Sequence, residues 1–398
     1  MTGTVGSAPR PPLFVLVAIS MLQPFALNVL APATPGLTRS LQTDYATVQL
    51  TLTLYLLSVA ITQVVVGPLS DRIGRRPCIL AGVALFLLGS LAGALAFRIE
   101  TLLVARVVQA IGGGACFALA RAVVRDSASK DESASLIGYI TMAMVVSPMI
   151  APLVGGFLDA QFGWRSIFVA TAILSLAVAV AAVLLLRETA PRTEASSLRD
   201  LVTAYPQLLG DRTFVGYCLV LTFGTASFYA FIAAAPYLVV DVMGRSPAVY
   251  AIFFVVNAAG YMVGNFLSGR FGQRLGSERL TSLGIHLSLV AMAIETACMV
   301  TLPLSPAALF LPLTLNSMGN GLTIPGATAS ALSVRPHLAG TAAGLVGAAQ
   351  LGFGALATVA TGWLVTLWPQ SLVIAMLGFV VLSFASLALL PRRRPRAP

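Results

Sequence analysis

Long apolar stretches, broken by short polar segments that hold most of the charge, run the length of the 398-residue chain. Twelve of them reach the roughly 20 residues a helix needs to cross a hydrocarbon core. They cover 13–33, 46–67, 78–97, 101–123, 135–158, 166–186, 214–240, 248–269, 280–302, 306–328, 338–363 and 370–390. The breaks leave no room for an extramembrane domain. Only the polar stretch 187–213 is long, and it divides the predicted helices six and six. Polar side chains recur at helical spacing in several stretches: Thr51, Tyr55, Ser58 and Thr62; Asn257, Tyr261 and Gly264; Asn316, Asn320 and Thr323. Lipid offers no hydrogen bonds, so these stripes are expected to turn inward, toward other helices or a water-filled chamber.

Composition narrows the class. Apolar residues make up 58% of the chain and charged residues 10%, with a mean hydropathy of +0.91. A soluble fold of this size is excluded. With both termini cytoplasmic, 18 of the Arg and Lys residues fall in cytoplasmic segments and 4, Arg39, Arg98, Arg165 and Arg245, in external ones. This bias predicts the orientation and accounts for the net charge of +10 without invoking nucleic acid. Cys78, Cys116, Cys218 and Cys298 lie in different helices, without disulfide or metal-ligand spacing. No metal site, nucleophile motif or phosphate-binding loop is evident, so no catalytic residue is assigned. Ala31-Pro32-Ala33 looks like a signal-peptidase site, but the preceding stretch carries Gln23, Pro24 and Asn28 and is read as a retained first helix. The preponderance of Arg over Lys, with Lys130 the sole lysine, hints at a GC-rich bacterial genome.

The octapeptide Leu69–Arg76 (LSDRIGRR) returns as Leu267–Arg274 (LSGRFGQR), with five of eight positions identical, 198 residues later. Each copy lies between the second and third apolar stretch of its half. The expected architecture is therefore an all-α membrane protein of twelve helices in two pseudo-symmetric bundles, 1–187 and 214–398, joined by a cytoplasmic loop 188–213. The C-terminal bundle ends in a basic cytoplasmic tail.

The basic turn carries chemistry of its own. Gly67 is expected to let the second helix approach a neighbour closely, and Gly74 to permit a tight turn. Asp71 can accept from an arginine and from the N-terminus of the following helix, while Arg72, Arg75 and Arg76 hold the turn on the cytoplasmic side. Asp126, just beyond the fourth helix, would complete an inter-helix ion network serving as a cytoplasmic gate. A plain topology anchor accounts for the same residues, and both readings stay open. Arg106 falls mid-span, where a cation costs on the order of 3 kcal/mol. It must face protein or water, with Gln109 on the same helical face; a structural arginine bonded to backbone carbonyls of the first helix accounts for it as well as a functional one, and both readings stay open. Pro148 and Pro152 would bend the fifth helix, and Gly155 and Gly156 offer a surface for close packing.

Gly67–Pro77 resembles the loop 2–3 signature of the major facilitator superfamily. Leu102–Ala115, with Arg106 and Gln109, is similar to its helix 4 motif, although Ala110 stands where a glycine is usual. Ser147–Gly156 resembles its helix 5 antiporter motif. The Ala151-Pro152 form, followed by Gly163-Trp164-Arg165-Ser-Ile-Phe168, looks like the Bcr/CflA branch of drug:proton antiporters. Ala234-Ala-Pro236-Tyr237 and Ala339–Gly344 point the same way. The resemblance implies a bacterial inner-membrane exporter of small amphipathic molecules, an antibiotic or multidrug efflux protein working by alternating access. It implies proton antiport with no cofactor beyond the proton gradient, and the partners would be a small-molecule substrate, protons and lipid, with a monomeric protein. Arg106 and Gln109 would serve coupling, and Asn28, Asn316, Asn320 and Tyr229 substrate contact. Phe223, Phe228 and Phe231 would add an aromatic wall. Pro148, Pro152, Gly155 and Gly156 would hinge and seal a contact between bundles.

One position departs from the branch. Where its exporters carry an acid in the first helix, this chain has Asn28, which cannot take up a proton. Glu295 is the only carboxyl well inside a predicted span, with His286 nine residues earlier; either is a candidate proton carrier, as are Asp71 and Asp126. An uncoupled facilitator or metabolite permease remains an alternative, and a membrane-embedded enzyme or sensor a remote one.

Overall fold

The computed structural model describes residues 12–127, 140, 146–147, 150–189, 205–335 and 338–390, without the side chains of Pro68, Asp71, Arg125, Gln273, Ala339 and Gly340. Every regular element among them is helical. The chain divides into two compact units, Met1–Ser197 and Leu198–Pro398.

In the N-terminal unit α1 (Leu13–Val29) contains Pro24 and continues through a 3₁₀ turn, Ala31–Ala33, into α2 (Thr34–Leu41). Gln42, at φ 50°, ends α2 in the left-handed region. Asp44 caps α3 (Tyr45–Ile73), accepting from Thr47 N–H. There follow α4 (Arg75–Ala94), α5 (Ile99–Ser127), α6 (Ile150–Phe162) and α7 (Arg165–Leu185). The C-terminal unit holds α8 (Arg212–Tyr237), α9 (Pro247–Leu275), α10 (Ser277–Thr301), α11 (Pro306–Ser333), α12 (Ala339–Leu367) and α13 (Ser371–Ser386). Asp211 caps α8 through the amides of Thr213 and Phe214.

Among the described residues ten helical segments are long and apolar enough to cross a membrane. The predicted stretch 135–158 lies largely outside the described residues, and its end forms the short apolar helix α6. The stretch 306–328 does form α11, 28 residues long, but Asn316, Asn320 and three prolines dilute its apolarity. On α7 the side chains of Ile173, Leu176, Val180 and Leu184 are exposed while Thr171, Ser175 and Ala182 are buried. A helix with its apolar side chains outward and its hydroxyls inward is built for lipid, not water.

Both units pack to one plan. In the first, α5 contacts α1, α3 and α4, and α4 contacts α7; in the second, α11 contacts α8, α9 and α10, and α10 contacts α13. Glycines allow the tightest of these approaches. A Cβ on Gly112 of α5 would strike the carbonyl of Gly82 on α4, and Cβ atoms on Gly284 (α10) and Gly319 (α11) would strike each other's carbonyls.

The structural repeat is not in the register of the octapeptides. Gly74 turns the chain between α3 and α4 at φ 112°, ψ 152°, and its counterpart is Gly276, at φ 80°, ψ 151°. Tyr45 to Pro247 and Gly74 to Gly276 both span 202 positions, one helical turn more than the 198 that align the sequence copies. Gly272, which aligns with Gly74 in sequence, lies inside α9. No described atom lies within 4 Å of where a Cβ on Gly67 would stand.

Candidate functional site

Arg106 sits in α5 at 2% exposure. Its Nη1 donates to Gln109 Oε1 at 2.6 Å and to the Ala26 carbonyl of α1 at 3.1 Å, and its Nε reaches the Thr51 carbonyl of α3 at 3.5 Å. The guanidinium lies 4.1 Å from the centre of the Tyr55 ring, whose hydroxyl donates to the Gln23 carbonyl at 3.1 Å. Gln109 Nε2 donates in turn to Ser90 Oγ on α4 at 2.8 Å. One cation thus ties together four helices through carbonyls, an amide and a π face, which suits a planar guanidinium. No carboxylate pairs with it among the described residues. Asn28, 2% exposed, donates Nδ2 to the Pro24 carbonyl at 2.8 Å, while its Oδ1 has no donor among them. Of the polar stripe read on the second helix, Thr51, Tyr55 and Thr62 are buried and Ser58 is half-buried.

At the other end of this unit the basic turn is held by a network the sequence reading only partly foresaw. Arg75 Nε meets Asp126 Oδ2 at 2.8 Å, with side chains 6% and 11% exposed, and Arg75 Nη1 donates to Ser70 Oγ. The N-terminal amides of α4 have no local side-chain cap, because Gly74 precedes them. Glu188, just past α7, fills that place: Oε1 accepts from Arg75 N–H at 2.8 Å and Oε2 from Arg76 N–H at 3.2 Å. A carboxylate at a helix N-terminus satisfies orphan donors and meets the positive end of the dipole. Arg76 reaches the opposite way, donating from Nε to the Leu186 carbonyl at 2.8 Å and from Nη2 to that of Val183 at 3.0 Å. These are the end carbonyls of α7, where cations are favoured. Gly74 is required twice over, by its positive φ and by Glu188 Oε2 lying where a Cβ would project. Arg72 is exposed, and the side chain of Asp71 lies outside the described set. Every member named here belongs to the N-terminal unit. Glu188 was missed because its role depends on a contact across 113 residues; the available signal was an acid directly after the sixth apolar stretch.

In α6, Pro152, Gly155 and Gly156 are buried, and a Cβ on Gly155 would collide with the Val29 carbonyl of α1. That close approach lies within the N-terminal unit. Pro148 lies outside the described residues.

In the C-terminal unit Asn320 is half-buried, its Oδ1 lying 3.2 Å from where a Cβ on Gly224 would stand. Asn316 is buried, with Oδ1 lacking a donor among the described residues, and the neighbouring Ser317 donates to Asn257 Oδ1 at 2.6 Å. Tyr229 lies against Gly354 of α12. Nearby Gln350 donates to Thr225 Oγ1 at 2.8 Å, and Phe223 meets Phe353 edge-on at 5.8 Å; Gln350 was not singled out from sequence, having no distinctive context there. Phe231 belongs to a packed cluster with Tyr250, Phe254 and Phe310. Glu295 is fully buried with neither oxygen bonded among the described residues. His286 is exposed, donating Nδ1–H to the Ser282 carbonyl at 2.7 Å, so the structure does not bring these two together. The described residues contain no cluster able to hold a metal ion.

The sequence model of the Major Facilitator Superfamily matches residues 16–350. The chain is 31% identical to multidrug resistance protein D of Escherichia coli (strain K12) over 353 residues, covering 87% of each chain. It is 29% identical to the chloramphenicol resistance protein of Pseudomonas aeruginosa over 382 residues, 94% of this chain and 89% of that one. A crystal structure of a D-xylose–proton symporter superposes with TM-score 0.75 at 16% identity, covering 95% of this chain and 97% of that one, a likeness of fold.

Proposed function

The chain belongs to the Major Facilitator Superfamily, and from that premise we propose a multidrug efflux transporter that carries small amphipathic antibiotics out of a bacterium. It is a multi-pass membrane protein and a transporter, not an enzyme. The observation that carries the reading is Arg106: a fully buried arginine, bonded to carbonyls and an amide and to no acid among the described residues, in a chain resembling antibiotic-resistance proteins. An intramembrane cation held this way is a functional candidate, and Gln109 and Ser90 set its orientation. Asn28, Asn316, Asn320 and Tyr229 supply hydrogen-bonding and aromatic contact for substrate. The Arg75, Arg76, Asp126 and Glu188 network, with Asp71 and Arg72, latches the cytoplasmic side. Pro152, Gly155 and Gly156 let α6 adjust against α1. The protein works as a monomer of twelve spans in the bacterial inner membrane, both termini cytoplasmic, by alternating access driven by inward proton flow without a cofactor.

Expression in a bacterium stripped of its own drug pumps is expected to raise the inhibitory concentration of chloramphenicol severalfold, and collapsing the proton gradient to cancel the rise. No rise with chloramphenicol, bicyclomycin or other amphipathic antibiotics refutes efflux. Asn28 favours one second reading, an uncoupled facilitator, because an amide in the first helix cannot exchange a proton. Export that survives collapse of the gradient selects that reading.

A further inference from the structure

Among the described residues the packed C-terminal unit supplies neither oxygen of the Glu295 carboxyl with a hydrogen-bond donor, and the residue has 0% exposure. Its helix, α10, runs antiparallel to α11: Gly284 lies against Gly319 and Ser288 Oγ donates to the Asn316 carbonyl at 3.3 Å. Two turns beyond Ser288 on the same face stands Glu295, a level that the register with α11 assigns to buried apolar residues around Leu309 and Leu313. On the α13 side the next residue, Thr296, reaches the Val373 carbonyl at 3.4 Å. One turn away on α10, Met292 and Met299 are buried.

Charged neighbours are equally absent. Neither α11 nor α13 contains a charged or titratable residue. On α9 these residues are Tyr250, Tyr261, Arg270 and Arg274, and the Tyr250 ring packs among those of Phe231, Phe254 and Phe310. On α10 itself they are Glu278, Arg279, His286 and Cys298. His286, nine residues back, is exposed against Phe384.

We propose that Glu295 is a proton-binding site of the C-terminal unit, a neutral carboxylic acid while α10 is packed on α11 and α13, and a carboxylate when that packing opens to water. A carboxylate without donor or cation is not tolerated in such a site, whereas the acid is. The O–H bond breaks only when water enters to take the proton, and it re-forms before the helices close again. Proton occupancy and helix packing are then linked, each biasing the other. The proposal rests on the transporter reading and assigns its proton, which Asn28 cannot carry, to the opposite unit.

The test uses the full-length protein in liposomes with chloramphenicol as probe. Glu295→Gln keeps shape and removes the proton. Counterflow exchange is expected to stay within about twofold of wild type, while accumulation driven by a pH gradient falls by about tenfold. Undiminished gradient-driven accumulation in Glu295→Gln overturns the proposal. Wild type that moves neither chloramphenicol nor bicyclomycin nor another amphipathic antibiotic overturns the efflux reading instead, and the site is then judged spectroscopically. Infrared spectra of the purified wild type at neutral pH are expected to contain the carbonyl band of a protonated, non-hydrogen-bonded carboxyl. That band should be lost in Glu295→Gln and displaced in Glu295→Asp. Should Glu295→Gln not fold, absence of the band from wild type, or a wild-type band that Glu295→Asp leaves unmoved, sinks the assignment.

Discussion

Glu188 closes over the start of α4, its Oε1 accepting the Arg75 amide at 2.8 Å from 113 residues away. The helix has no cap of its own, so this carboxylate, together with the Arg76 bonds to the Val183 and Leu186 carbonyls, holds the N-terminal end of α4 to the C-terminal end of α7. Glu188→Ala is expected to cost about 1–2 kcal/mol, with Glu188→Gln intermediate, since an amide oxygen still accepts but carries no charge. Thermal unfolding of the detergent-solubilised protein measures it; an unchanged midpoint in Glu188→Ala counts against the cap.

The Arg75–Asp126 pair is buried, so losing one partner strands the other. Asp126→Ala is expected to destabilise by about 3 kcal/mol, and the Arg75→Ala, Asp126→Ala double variant by less than the sum of the singles. Additive losses in the same melting assay would mean that the two side chains do not interact. Arg75→Lys should not rescue, because an ammonium cannot reach Ser70 and Asp126 in the planar fork of a guanidinium.

Two glycines give a matched comparison. A methyl at Gly155 meets the Val29 carbonyl, whereas one at Gly378 meets nothing within 4 Å. Gly155→Ala is expected to cost about 2–3 kcal/mol or more and to lower yield of folded protein, while Gly378→Ala stays within about 1 kcal/mol of wild type. Fluorescence-detected size exclusion after expression separates the two outcomes. Equal behaviour would refute the α1–α6 contact.

Asn28→Asp restores a titratable group to the first helix. Antibiotic resistance conferred by this variant is expected to depend more steeply on the pH of the medium than that of wild type. Inhibitory concentrations of chloramphenicol in acidic and alkaline buffered media provide the comparison, and parallel profiles would mean that protons do not reach this position.

Asp44, at the start of α3, accepts the Thr47 hydroxyl at 2.7 Å and the Thr47 amide at 2.8 Å. These bonds hold its pKa below the ordinary aspartate value. A depressed folded value means the cap's contribution is complete above the unfolded pKa and is lost as pH falls through the folded one. Wild type and Thr47→Ala are therefore expected to differ by a constant amount from neutrality down to about pH 4. Below that the gap should narrow steadily as pH falls, because the variant's less depressed carboxyl takes up its proton in the folded state earlier and so loses less stability than wild type. Melting temperatures against pH test this, and a gap constant through the acid range rules it out.

Much of the fold was readable because membrane insertion is decided locally. Apolar length and the cation bias follow from counting residues, and Gly74 announced a turn that its positive φ bears out. Arg106 declared itself by cost alone, and its partners, Gln109 one turn away and the carbonyls of α1 and α3, are ones an inward-facing guanidinium must find. The octapeptide repeat was informative about duplication yet misleading about register. It aligned Gly74 with Gly272, whereas α9 runs one turn further and bends at Gly276, because a helix continues until a residue tolerates the turn and not where a motif ends.

By itself, then, the amino-acid order determined that this is a duplicated bundle of lipid-crossing helices and which residues were too polar to lie idle there. Tertiary structure decided whom those residues meet: that Glu188 caps α4, that Gly155 rests on Val29, that Arg106 binds carbonyls of α1 and α3, and that no described residue donates to Glu295. The reason is physical. Transfer into lipid is governed by a segment's own composition over a few turns, while a hydrogen bond or a collision needs two atoms within a few ångströms, and only the packed chain brings residues a hundred positions apart that close.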